Sequence, residues 1–107
     1  WICVNGGVAE GRLIGGNVNT MYGFIGTEYF PEIKKGDILL IEDSAKDAAT
    51  VEKNFAMLKL HGVFDKVAGI ILGKHELFDE IGRASFLSAE DLLKYLWSKL
   101  INYIFQF

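Results

Sequence analysis

Cysteine, proline and histidine are scarce in this chain of 107 residues, which has one Cys, one Pro and two His. A lone Cys3 cannot close an internal disulfide. A small cross-linked secreted scaffold is therefore excluded, and a reducing, cytoplasmic setting is the expectation. His61 and His75 lack the spacing of metal ligands, and Cys3 is remote from both in sequence, so no zinc centre is expected. Long apolar runs are missing too. None approaches the ~20 residues that cross a bilayer, so no membrane partner is expected, and no signal-peptide pattern is present in these residues. Positive charge is not in excess. The net charge of −3 argues against a non-specific nucleic-acid binder, which normally carries a basic patch. Repeats, low-complexity tracts and linkers are also absent, so residues 1–107 read as a single domain.

What is present suits a folded domain. Half of the residues are apolar and 23% are charged, the balance of a globular protein. A chain of this length buries roughly two-thirds of the surface that it exposes when unfolded. Its ends, Trp1 and Phe107, are both apolar. Natural termini are usually polar and frayed, so the expectation is a piece of a longer protein.

Local signals give an order of elements. Trp1 to Val4 reads as a short strand stopped by Asn5-Gly6-Gly7. Gly11 to Ile14 is a second extended piece, punctuated by Gly15-Gly16. Asn17 or Asn19 then caps a helix running to about Ile25. Gly26 to Gly36 is a loop. Asp37 to Glu42 is an apolar run too short for a helix and reads as a buried strand. Asp47 caps a helix from Ala48 to His61, with Val51, Phe55 and Leu58 at helical spacing and Gly62 just past its end. Val67 to Leu72 is another buried strand, and Gly73 to Phe86 an irregular polar connection. Ser88 opens a last helix, and Ile101 to Phe107 is a final strand candidate. One sheet with helices packed on it follows from this order.

Three features could carry chemistry. The Gly15-Gly16 pair before a helix would let a backbone approach a ligand, but it matches no nucleotide-binding motif, and a tight turn is the plainer reading of the pair alone. Glu42 closes an apolar strand, where α/β proteins place their sites and where a carboxylate can orient a histidine. A turn acid, helped by Asp43 or Ser44, is the plain alternative. His75 could act as a base, yet no nucleophile-elbow pattern G-x-S-x-G supports a triad within the chain. His61 suits a helix C-terminus electrostatically. Cys3 reads as a small core residue, and Lys34-Lys35 and Lys46-Asp47 as solvated surface.

Three stretches, read together and in order, resemble a known family. They are Ala9-Glu10-Gly11-Arg12-Leu13-Ile14-Gly15-Gly16-Asn17, Gly36-Asp37-Ile38-Leu39-Leu40-Ile41-Glu42-Asp43, and Phe64 to Glu76, which ends in Gly-Lys-His-Glu. They look like the C-terminal domain of the LD-carboxypeptidases, nearest to the microcin C immunity branch. The resemblance covers most of residues 1–80; residues 81–107 match less clearly. It implies an α+β fold, a small β/β/α swivelling-type domain. It also implies a serine peptidase with a Ser–Glu–His triad, in which Glu42 is the acid and Gly15, Gly16 and Asn17 lie beside the site. The serine would come from an N-terminal domain that precedes these residues, and the histidine from beyond Phe107. His75 is therefore not assigned to the triad, and residues 1–107 alone are expected to be inactive. The implied substrates are murein L,D-peptides or peptidyl- and aminoacyl-nucleotide antibiotics. The family needs no metal or cofactor and is commonly a homodimer. A non-catalytic small-ligand or anion-binding module, or a dimerisation domain, is the rival expectation.

Overall fold

A computed structural model describes Cys3 and residues 6–77. The elements are strand β1 (Leu13–Asn17), helix α1 (Val18–Phe24), strand β2 (Ile38–Lys46), helix α2 (Ala48–Leu60) and strand β3 (Gly69–Leu77). The strands form one sheet in the order β1-β2-β3, and both pairings are parallel. Parallel neighbours cannot be joined by a tight hairpin, so the chain returns through α1 and α2. This is the sheet with helices packed on it that the sequence predicts. The expected helix at Ser88 and strand at Ile101–Phe107 lie outside the described residues, as does most of the Trp1–Val4 strand.

Local chemistry sets the helix ends. The Asn17 side chain accepts the Thr20 N–H at 3.0 Å and starts α1. Asp47 does the same for α2 through the Thr50 N–H at 2.8 Å. At the far end of α2, Gly62 takes a positive φ of 77°. Its N–H reaches the Lys59 carbonyl at 2.9 Å, and that of Val63 reaches the Leu58 carbonyl at 3.1 Å. This double closure satisfies the last carbonyls and turns the chain, and the buried Leu58 and Val63 flank it.

The core lies between the helices and one face of the sheet. Leu39 and Ile41 of β2 are fully buried and alternate with half-buried neighbours, as the two-residue period of a strand requires. Val51, Phe55 and Leu58 meet them from one stripe of α2, and Val18 and Met21 from α1. Phe55 packs on Phe64 with ring centroids 6.2 Å apart; burying such a side chain contributes about 1.5–3 kcal/mol. Beside the core, Arg12 clamps Asp37 with two hydrogen bonds, Nε to Oδ1 at 3.1 Å and Nη2 to Oδ2 at 2.7 Å. The Lys34 N–H adds a third at 2.7 Å. Hydrogen bonding to Arg12 and to the Lys34 backbone holds the Asp37 carboxyl below the ordinary carboxylate range, and raises Arg12 in turn.

Four local expectations are corrected. Gly15 and Gly16 are not a turn: they lie inside β1, paired with Leu40 and Ile41. A Cβ on Gly15 would collide with the Leu40 carbonyl, so glycine is what lets the strands come together there. β2 does not end at Glu42 but continues to Lys46, and β3 does not end at Leu72 but continues to Leu77. These polar extensions pair with each other through an irregular register, which a search for apolar runs does not see. Cys3 is exposed and is not a core residue.

Candidate active site

The end of β1 and the middles of β2 and β3 bring Asn17, Glu42 and Gly73 side by side. Asn17 ends β1 and is the register partner of Glu42 on β2. On β3 the ladder is regular to Leu72, opposite Ile41, and then shifts so that His75 stands opposite Asp43. Glu42 faces this irregular step. Gly73 leaves it room, since a Cβ on Gly73 would lie 2.7 Å from the Glu42 Cβ.

One amide organises the cluster. Asn17 Nδ2 donates to Glu42 Oε1 at 3.0 Å and to Asp43 Oδ1 at 3.2 Å. Its Oδ1 accepts from both the backbone N–H and the hydroxyl of Thr20, each at 3.0 Å. Consecutive strand residues point to opposite faces. Accordingly Glu42 is half-buried while Asp43, on the helix-covered side, is 1% exposed. Asn17 can touch both because it sits where β1 turns into α1. Asp43 Oδ1 also accepts the Ser44 N–H at 2.9 Å. Lys46 Nζ lies 3.7 Å from that oxygen and donates to the Ser44 carbonyl at 3.0 Å. Lys46 is thus a fixed cation at the rim of the cluster and not free solvated surface.

The sequence-derived candidates therefore divide. Asn17 and Glu42 are brought into direct contact. Gly15 and Gly16 lead up to them along β1, with positive φ of 144° and 154°. The backbone of His75 lies beside Asp43, one strand over. Asp43, Thr20, Lys46 and Gly73 were not singled out as site residues. Asp43 could have been, because it follows Glu42 in a run that ends apolar and turns acidic. Thr20 carried only the signal of helix-cap spacing. His61 lies at the opposite end of the sheet, edge-on to Phe30 with centroids 4.8 Å apart. That end holds a shallow concavity of about 330 Å³, also lined by Pro31, Val63 and Lys66. Among the described residues, no three His, Cys, Asp or Glu side chains stand together as a metal-binding set.

Asn17 and Glu42 are thus locked together on neighbouring parallel strands. The sequence profile of the LD-carboxypeptidase C-terminal domain matches residues 10–104. The chain belongs to the LD-carboxypeptidase family. Microcin C7 self-immunity protein MccF of Escherichia coli is 64% identical over 76 residues, covering 71% of this chain and 22% of MccF. The structure of MccF in complex with aspartyl sulfamoyl adenosine superposes with a TM-score of 0.70 at 55% identity, over 86% of this chain and 27% of that one. A muramoyltetrapeptide carboxypeptidase from Oxalobacter formigenes gives a TM-score of 0.71 at 29% identity, over 84% of this chain and 31% of that one. The chain thus spans less than a third of the length of these LD-carboxypeptidase relatives. An active-site mutant of MccF replaces one serine, one asparagine and one lysine.

Proposed function

We propose that this chain is the C-terminal domain of a serine-type hydrolase that cleaves amide bonds in murein L,D-peptides or in peptidyl- and aminoacyl-nucleotides, and that Glu42 is the acid of its triad. The observation that carries this reading is the Asn17–Glu42 hydrogen bond of 3.0 Å, where β1 ends beside β2. It fixes one carboxylate oxygen and leaves the other to meet a histidine. The high identity to MccF, and the ligand seen in that protein, favour the nucleotide-linked class of substrate.

The chemistry follows from the parts. A serine from the N-terminal domain attacks the amide carbonyl. A histidine takes the serine proton and delivers it to the leaving amine, and water then releases the acyl group from the serine. Glu42 holds the histidine in the right tautomer and stabilises its charged form. Gly15, Gly16 and Asn17 lie on the substrate side, and Lys46 offers a cation to an anionic group of the substrate. Asn19 and Lys46, 27 residues apart, have the residue types and the spacing of the asparagine and lysine replaced in the MccF active-site mutant. The reaction needs no metal or cofactor. The working enzyme is a cytoplasmic homodimer, and residues 1–107 alone are inactive for want of the serine and histidine.

The test is hydrolysis by the full-length protein. It is expected to release the amino acid from an aminoacyl sulfamoyl adenosine or D-alanine from an L,D-tetrapeptide, while residues 1–107 release neither. A full-length protein that cleaves neither compound overturns the reading. Turnover by residues 1–107 that is abolished by changing His75 or Ser44 would move the site inside this chain.

A further inference from the structure

Asp43 is the most deeply buried charged group of the cluster, and only half of it is used. Its Oδ1 accepts the Asn17 amide at 3.2 Å and the Ser44 N–H at 2.9 Å, with Lys46 Nζ at 3.7 Å. Its Oδ2 is buried and has no hydrogen-bond partner among the described residues. A carboxylate oxygen sealed from water without a donor is costly, so stability alone does not explain an aspartate at this position. Asn17 leaves no slack beside it. Its two amide hydrogens go to Glu42 and Asp43, and its oxygen is held by Thr20, so the amide cannot turn over without facing donors with donors and acceptors with acceptors.

We propose that Asp43 is a positioning residue of this site. Through Oδ1 it fixes the Asn17 amide, and through that amide the Glu42 carboxylate. Asp43 touches no substrate; it acts through Asn17 and Glu42. The proposal rests on reading the cluster as the site of an amide hydrolase.

The experiment compares Asp43→Ser, Asn17→Ala and the double variant in the full-length protein, with an aminoacyl sulfamoyl adenosine as substrate. Asp43→Ser keeps a small polar side chain but is too short to reach the Asn17 amide. It is expected to lower kcat by about tenfold or more with KM within about threefold, because the loss is one of alignment. The double variant is expected to be about as slow as Asn17→Ala alone, as residues acting in one chain are not additive. A kcat for Asp43→Ser equal to that of the unaltered protein, or losses that multiply in the double variant, overturns the proposal. A readout independent of turnover separates this from failure of the hydrolase reading. The Asn17 side-chain NH2 of the unaltered protein is expected to exchange slowly with solvent by NMR, and roughly tenfold faster in Asp43→Ser, whose side chain is too short to reach it. Equal exchange in the two proteins refutes the positioning role even if no substrate is ever found.

Discussion

Gly73 and Glu42 face each other across two strands so closely that a methyl group on Gly73 would sit 2.7 Å from the Glu42 Cβ. No positive φ is recorded at Gly73, so the constraint there is contact and not backbone conformation. Gly73→Ala is therefore expected to push Glu42 off the Asn17 amide. Stability should fall by about 1–3 kcal/mol, the usual cost of overfilling a packed position. In the full-length enzyme kcat should fall with it. Urea unfolding and steady-state kinetics on one variant check both, and activity equal to that of the unaltered protein would show that Glu42 has room to spare.

The two glycines of β1 separate space from conformation. Gly15 and Gly16 both have positive φ, but only at Gly15 would a Cβ meet another strand, at the Leu40 carbonyl. Gly16→Ala is expected to cost about 1–3 kcal/mol of backbone strain and still fold. Gly15→Ala adds a backbone collision and is expected to disrupt the β1–β2 pairing outright. Thermal denaturation of the two variants side by side tests this, and equal melting temperatures would contradict it.

Glu42→Gln keeps the hydrogen bond that Asn17 donates, since the glutamine carbonyl can accept it, but removes the charge. Folding should be nearly unchanged. Turnover in the full-length protein should drop by roughly a hundredfold or more, by analogy with the loss of a triad acid. Rates like those of the unaltered enzyme would reduce Glu42 to a strand residue.

Acid should loosen the domain through Asp37. Hydrogen bonding to Arg12 and to the Lys34 N–H sets its folded pKa below the unfolded value of about 3.9. The unfolded chain therefore binds the proton first. The stabilisation is fully present above the unfolded value and is lost as pH falls through the folded one. Asp47, held low by the side chain and backbone N–H of Thr50, acts in the same direction. Stability measured in urea should be flat in this respect from pH 7 to about pH 5 and fall below pH 4. Asp37→Asn should flatten part of that fall, and an unchanged acid slope in the variant would contradict the assignment.

How far the sequence could be read follows the range of the forces involved. Asp47 and Gly62 were legible, and Asn17 as one of two candidate caps with Asn19, because caps are decided within three or four residues. Val51, Phe55 and Leu58 were legible because burial imposes a helical period, and the strand that holds Leu39 and Ile41 because its run is apolar. The polar ends of β2 and β3 were not, because Asp43–Lys46 and Gly73–Leu77 are strands by virtue of each other and lack an apolar pattern. Gly15-Gly16 looked like a break because the reason for glycine, the Leu40 carbonyl, lies 25 residues away. Glu42 was singled out by its place at the end of an apolar run and by family resemblance. Its partner Asn17 was visible as a cap, but its second contact, Asp43, and the clamp from Thr20 required the fold.

The order of the strands has a consequence for how the protein breathes. Glu42 lies on β2, the middle strand, with β1 on one side and β3 on the other. Fraying of β3 leaves the β1–β2 ladder and the Asn17 amide in place, whereas fraying of the end of β1 takes that amide away from the carboxylate. Among the described residues, the amides of Leu39 to Ile41 should be the slowest to exchange with deuterated solvent, at rates set by whole-domain opening. The glutamate at the end of that segment thus rides on the most protected strand, while the amide that aligns it sits at the end of a neighbour that can open by itself.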